Sequence, residues 1–101
     1  MNEIMRQATR MRRRMEEVRE SLKDEEVTGS SAGGKVHVVA SLEGKLRSVH
    51  IDPEFLAAEG LELALDGVVA AANTALATAE QRMEAELSKV TGGMNVPGLF
   101  G

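Results

Sequence analysis

Seven apolar residues, Met1, Ile4, Ala8, Met11, Met15, Val18 and Leu22, recur at alternating steps of three and four, the seam of three heptads, and neither Gly nor Pro occurs before Gly29. This spacing predicts a helix over residues 2–24. Such a helix is about 35 Å long at ~1.5 Å per residue. One narrow apolar stripe on so long a helix leaves it dependent on packing, so the seam must lie against another helix. A chain of 101 residues is one domain by length and has a modest core, so pairing with a second copy would help it considerably. Ile4, Ala8, Met11, Met15, Val18 and Leu22 are therefore the expected dimer interface.

After Asp24-Glu25-Glu26 the period changes. Glu26 to Ser30, Lys35 to Leu42 and Lys45 to Ile51 read as three short strands. In the second, Val36, Val38, Ala40 and Leu42 alternate with His37, Val39 and Ser41, the pattern of a half-buried strand. Glu43-Gly44 fits a two-residue hairpin turn and Ala32-Gly33-Gly34 a looser one, which together predict an antiparallel meander. Asp52-Pro53 reads as a cap and first helical position for a turn through Glu54, Phe55 and Leu56. From Leu61 to about Val90 a second long helix is expected, packed along Leu61, Leu65, Val68, Ala72, Ala75, Ala79 and Met83 and ended by Thr91-Gly92-Gly93. The fold class is α+β: long helix, three-stranded antiparallel meander, long helix. Residues 1–93 form the expected domain and 94–101 a flexible tail.

Charge is distributed unevenly along this frame. Residues 1–23 carry seven Lys or Arg against four Glu, whereas residues 24–101 carry five against twelve acids, so a chain of net charge -4 has a basic first segment. Arg10, Arg12, Arg13 and Arg14 fall within five positions. In the heptad frame Arg12 and Arg14 flank the seam, while Arg6, Arg10 and Arg13 form a stripe facing away from it. A solvated face with Arg12–Glu16 and Arg13–Glu17 pairs is the plain reading of such a row. Two features argue for use by a ligand instead. Arg preceding Glu is the weaker order for such pairs, and cations in the first half of a helix oppose its dipole. Guanidinium forks suit phosphates, and a patch acts mainly within a Debye length of ~8 Å, so overall acidity does not exclude a polyanion. Arg82 and Lys89 on the second helix extend the positive surface if its far end lies near the first.

Other chemistry is sparse. His37 and His50 sit on adjacent strands, but without Cys and without regular ligand spacing they read as structural or surface histidines, and no metal is expected. Gly33-Gly34 lacks the Lys and Ser or Thr of a phosphate-binding loop, and Asp52 with Glu54 reads as a cap rather than a catalytic pair. No nucleophile elbow or zinc-protease helix is present, so neither an enzyme, a cofactor nor a small-molecule substrate is expected. The absence of Cys fits a reducing compartment, and no apolar run is expected to reach the ~18 residues of a membrane span, which reads as cytoplasmic.

With "EVTGSSAGGKVHV", "VHIDPEFL" and "SKVTGGMNVPGLF" in this order, the chain resembles the YbaB/EbfC family of bacterial nucleoid-associated proteins over essentially its whole length. Val27-Thr28-Gly29, Val49-His50-Ile51-Asp52-Pro53 and Thr91-Gly92-Gly93-Met94 carry the resemblance. It implies a tweezer-shaped homodimer that binds double-stranded DNA through projecting helices, in agreement with the arginine stripe. The expected contacts, Arg6, Arg10, Arg12, Arg13, Arg14, Arg82 and Lys89, lack any evident base-reading motif, so binding should be mostly to phosphates and weakly selective. The Met stripe of Met1, Met5, Met11 and Met15 supports an alternative, a protein-interaction adaptor in DNA repair or replication whose arginines face acidic protein.

Overall fold

A computed structural model describes residues 2–92. Helix α1 spans Glu3–Leu22, strand β1 Glu26–Ser31, strand β2 Val36–Ser41, strand β3 Leu46–Ile51, helix α2 Pro53–Glu59 and helix α3 Leu61–Val90. A short 3-10 turn, Ala32–Gly34, links β1 to β2. The expected tail, residues 94–101, together with Gly93 and the first seam residue Met1, lies outside the described residues.

The ends of the helices follow the local chemistry. Asn2 caps α1 by accepting a 2.9 Å hydrogen bond from the Met5 amide. Asp52 caps α2, its Oδ1 accepting from the amides of Glu54 at 2.8 Å and Phe55 at 3.4 Å, with Pro53 in the first turn. The turn expected after Pro53 is thus a seven-residue helix. Helix α3 ends where Gly92 takes a φ of 64° just beyond the capping Thr91.

The sheet is the expected meander in the order β1-β2-β3, both pairs antiparallel. Its second turn differs by one position from the two-residue hairpin read at Glu43-Gly44. Leu42 and Glu43 occupy the corner, the Gly44 amide bonds the Ser41 carbonyl at 2.9 Å, and Gly44 follows at φ 92°. Glycine accepts that conformation without the steric penalty of a side chain, and the longer loop it permits is coupled to a bulge in β3. Val39 pairs with Ser48 and Ala40 with Leu46, so Arg47 is the extra residue, and its guanidinium reaches Asp24 at 2.7 Å.

Val36, Val38 and Ala40 point to one side of the sheet, where they and Ala71 and Ala75 of α3 form a fully buried cluster. Gly29 lies against α3 so closely that a Cβ there would stand 2.3 Å from the Ala71 carbonyl oxygen and 2.4 Å from the Ala75 nitrogen. Helix backbone rests on strand backbone. Ser31 fastens the same contact from β1, its hydroxyl donating to the Gly67 carbonyl at 2.7 Å.

This close approach corrects part of the packed side expected for α3. Ala75 and Ala79 are buried and Val68 and Ala72 pack against the core as expected, and Ala64, Ala71 and Leu87 are buried with them, whereas Leu61 and Leu65 are 62% and 51% exposed. Only small residues fit against Gly29, and Leu61 and Leu65 at the start of the helix turn outward. Helix α3 is also long and apolar enough by length and composition to cross a membrane, contrary to the expectation that no stretch would be. In this fold its Ala-rich side lies on the sheet.

Candidate nucleic-acid interface

Helix α1 leaves the sheet and packs on α3, in the region where Leu87 and Thr91 are buried beyond the sheet-covering stretch. The seam divides into two parts. Met15 is 2% exposed, and Met11, Val18 and Leu22 are half-buried, so one chain already supplies a helix for this part of the stripe. Ala8 is half-buried, and Ile4, 78% exposed, is uncovered. Residues 2–7 are exposed throughout, so the first turns of α1 project from the molecule, whose longest extent is 65 Å against 21 and 17 Å.

Arg6 lies on this projecting stretch, and Arg10, Arg12, Arg13 and Arg14 follow it on the part of α1 whose seam side is progressively covered. Arg6, Arg10, Arg12, Arg13 and Arg14 are exposed, and none forms an ion pair among the described residues. The pairs Arg12–Glu16 and Arg13–Glu17 that a solvated face would show are not formed. Arg6, Arg10 and Arg13 stand on the side of α1 opposite Met15, at helical steps of four and three. The row rises about 10 Å along the helix axis, a length over which duplex DNA carries roughly six backbone charges. Permanently charged planar forks held this way can neutralise phosphates without first breaking pairs within the protein.

The second half of α1 and the chain after it are chemically different. Glu20 binds Lys23 at 2.9 Å, and its carboxylate, by hydrogen bond and charge, holds the Lys23 ammonium above its ordinary pKa. Asp24 is taken by Arg47, and Glu25 by Arg82. The Asp52 carboxyl is held below the usual carboxylate range, first by the amides of Glu54 and Phe55 and then by Lys35 and His50.

The two candidates on α3 therefore do not match those on α1. Arg82 is exposed but paired with Glu25, and Lys89 is exposed but bound to Glu86 at 3.0 Å. Their positive charge is partly neutralised within the chain. Arg19, which the sequence reading did not select, is exposed without an ion pair among the described residues, and it borders a cleft with Leu42, Met83 and Leu87. Its position one turn beyond Met15 is the only signal for it in the sequence.

A second surface also escaped the sequence reading. Helix α3 lies over β1 and β2 and leaves β3 largely bare, so Leu46 and Val49 are half exposed on the face that carries Val38 and Ala40. Leu61, Leu65 and Val69, at steps of four, form an exposed apolar stripe on α3. Exposed apolar surface of this kind marks an interaction site.

Comparison with known proteins identifies relatives of this chain. The chain is 40% identical over 100 residues to a nucleoid-associated protein of Alkaliphilus metalliredigens, an alignment covering 99% of this chain and 88% of the relative. A nucleoid-associated protein of Acetivibrio thermocellus is 41% identical over 98% of this chain and 88% of its own length. The crystal structure of an uncharacterized Helicobacter pylori protein superposes with a TM-score of 0.62 at 25% identity, covering 74% of this chain and 87% of that one. The family model for the YbaB/EbfC DNA-binding family matches residues 1–94, which spans both long helices and the sheet between them, and the chain belongs to that family.

Proposed function

We propose that this chain binds double-stranded DNA as a homodimer, mainly through phosphate contacts and with low sequence specificity, in the nucleoid of the cytoplasm and without catalysing a reaction. The observation that carries the reading is the set of five exposed arginines at positions 6–14 of α1, none of them paired to a carboxylate among the described residues. Membership in a DNA-binding family and the names of the relatives support DNA as partner and the nucleoid as location. Arg6, Arg10 and Arg13 are the leading contacts, Arg12 and Arg14 flank them, and Arg82 and Lys89 contribute less because each is engaged by a glutamate.

The dimer interface is read differently from the seam alone. Met15 is enclosed by its own chain, so a second copy covers the exposed apolar surfaces at Leu46 and Val49 and at Leu61, Leu65 and Val69. Removing such area from water stabilises an association by roughly 25 cal/mol per Å2 before the costs of binding. Two copies joined there each present one basic helix to the ligand.

A second reading rests on Ile4 and Met5, which are exposed beside Arg6 at the tip of α1. An apolar tip on a basic helix also suits an acidic protein, as an adaptor would need. Anisotropy of a labelled random duplex against protein, repeated from low to high salt, decides between them. DNA binding appears as a log-log salt slope of about -0.9 per phosphate neutralised. A duplex left unbound at low salt transfers the assignment to the adaptor.

A further inference from the structure

His37 and His50 are thirteen positions apart in the chain, a spacing that suggests no site, yet the β2–β3 register makes them direct partners. Their side chains project to the face of the sheet opposite Val36 and Val38, and the rings stack with centroids 4.6 Å apart and planes 24° from parallel. His50 is exposed and His37 half-buried, so solvent reaches the pair. We propose that His37 and His50 form a two-nitrogen chelate for a borderline divalent transition-metal ion such as Zn2+ or Ni2+.

Imidazole nitrogen is a preferred donor for these ions, and the strand ladder sets the two Cα positions directly opposite each other, so chelation requires only that the rings leave their stack. Rotation about each Cβ–Cγ bond presents one nitrogen of each ring to a common ion at about 2.0–2.1 Å. The adjoining cross-strand pair, Lys35 and Asp52, has its charges in contact at 3.8 Å, so Lys35 does not oppose a cation with its full charge. The Asp52 carboxylate is engaged by the amides of Glu54 and Phe55, with Lys35 and His50 among the charges that act on it. No group of three or more His, Cys, Asp or Glu that could hold a metal occurs among the described residues. The remaining coordination positions are therefore open to water, which describes a labile surface chelate rather than a closed structural site. The apolar surfaces assigned above to the second copy lie on α3 and on the other face of β3, so dimer formation leaves the pair accessible.

Isothermal titration of the untagged full chain with ZnCl2, and separately with NiCl2, tests the site in a non-coordinating buffer at pH 7.5. One ion per chain should bind saturably, and His37→Gln and His50→Gln should each weaken binding at least about tenfold while circular dichroism matches the parent. His37 and His50 are the two histidines of the chain, so their ring resonances in the NMR spectrum of the parent protein report on this pair alone, and both should shift together as ZnCl2 is added. That titration serves as the deciding measurement if a variant fails to fold. Saturable binding by neither ion, binding that survives both substitutions, or ion binding that leaves both histidine ring signals unmoved overturns the proposal.

Discussion

Where β1 crosses α3, the chain uses its smallest residues, and Gly29, Ala71 and Ala75 bring two backbones into contact with almost no side chain between them. The first half of α1 is the opposite case. Long arginine side chains stand in solvent on a helix whose tip touches nothing among the described residues. The crossing tolerates no added atom, while the arm tolerates a row of like charges held close together on one helix. A cost of that kind can be carried by the arm because the fold is held elsewhere, at the sheet and along the part of α1 that includes Met15. The buried contacts and the proposed ligand surface thus lie in different regions of one elongated molecule.

Substitutions at the two ends should separate these roles, and the largest effect is expected at the crossing. Gly29→Ala places a methyl group within 2.4 Å of two backbone atoms of α3, so the helix must lift from the strand. A loss of about 3 kcal/mol or more is expected in denaturant unfolding. An unchanged midpoint would mean that α3 does not rest on β1 as described. Met15→Ala follows, at ~2–5 kcal/mol for a buried side chain truncated without collapse of its surroundings. The matched change Ile4→Ala on the same stripe should remain within about 0.5 kcal/mol, since that residue is exposed in the single chain. Equal losses at the two positions would erase the division of α1 proposed above.

On the arm, the triple change Arg6→Gln, Arg10→Gln and Arg13→Gln should leave the thermal midpoint in place. The same protein should bind a random duplex at least about tenfold more weakly at moderate salt, with the salt slope reduced by up to ~2.7. Retained affinity with a parental circular dichroism spectrum would remove the stripe from the contact surface.

The smallest effect belongs to neither end. Asp52 caps α2 as a carboxylate, and its folded pKa lies below the unfolded one, so its contribution is present above about pH 4 and is lost as pH falls through the folded value. Asp52→Ala should therefore melt slightly below the parent at pH 7, and the difference should close on acidification below that range. A gap that persists undiminished at low pH would show that the cap does not act through its charge.

Most of the architecture was legible in the residues. The heptad spacing from Ile4 to Leu22, the alternation from Val36 to Ser41, and the signals at Asp52-Pro53 and Thr91-Gly92 are local, and local stereochemistry was enough to place elements by them. The arginine stripe was legible for the same reason, because residues at steps of three and four share a helix side wherever the helix lies. The packed side of α3 was legible at Val68, Ala72, Ala75 and Ala79 but not at its start. Leu61 and Leu65 are more apolar than Ala64 and Ala71, and hydropathy alone favours burying them. Nor does spacing reveal that His37 meets His50, that Arg82 is taken by Glu25, or that α3 leaves Leu46 and Val49 uncovered.

The amino-acid order by itself determined two long helices about a three-stranded meander and a basic stretch on the first helix, because each depends on near neighbours along the chain. Tertiary structure decided which side of α3 meets the sheet, which half of the α1 seam is already covered, and which cations remain unpaired. Those outcomes depend on how closely two backbones can approach. At Gly29 the absence of one carbon atom settles that distance, and the outward turn of Leu61 and Leu65 accompanies it.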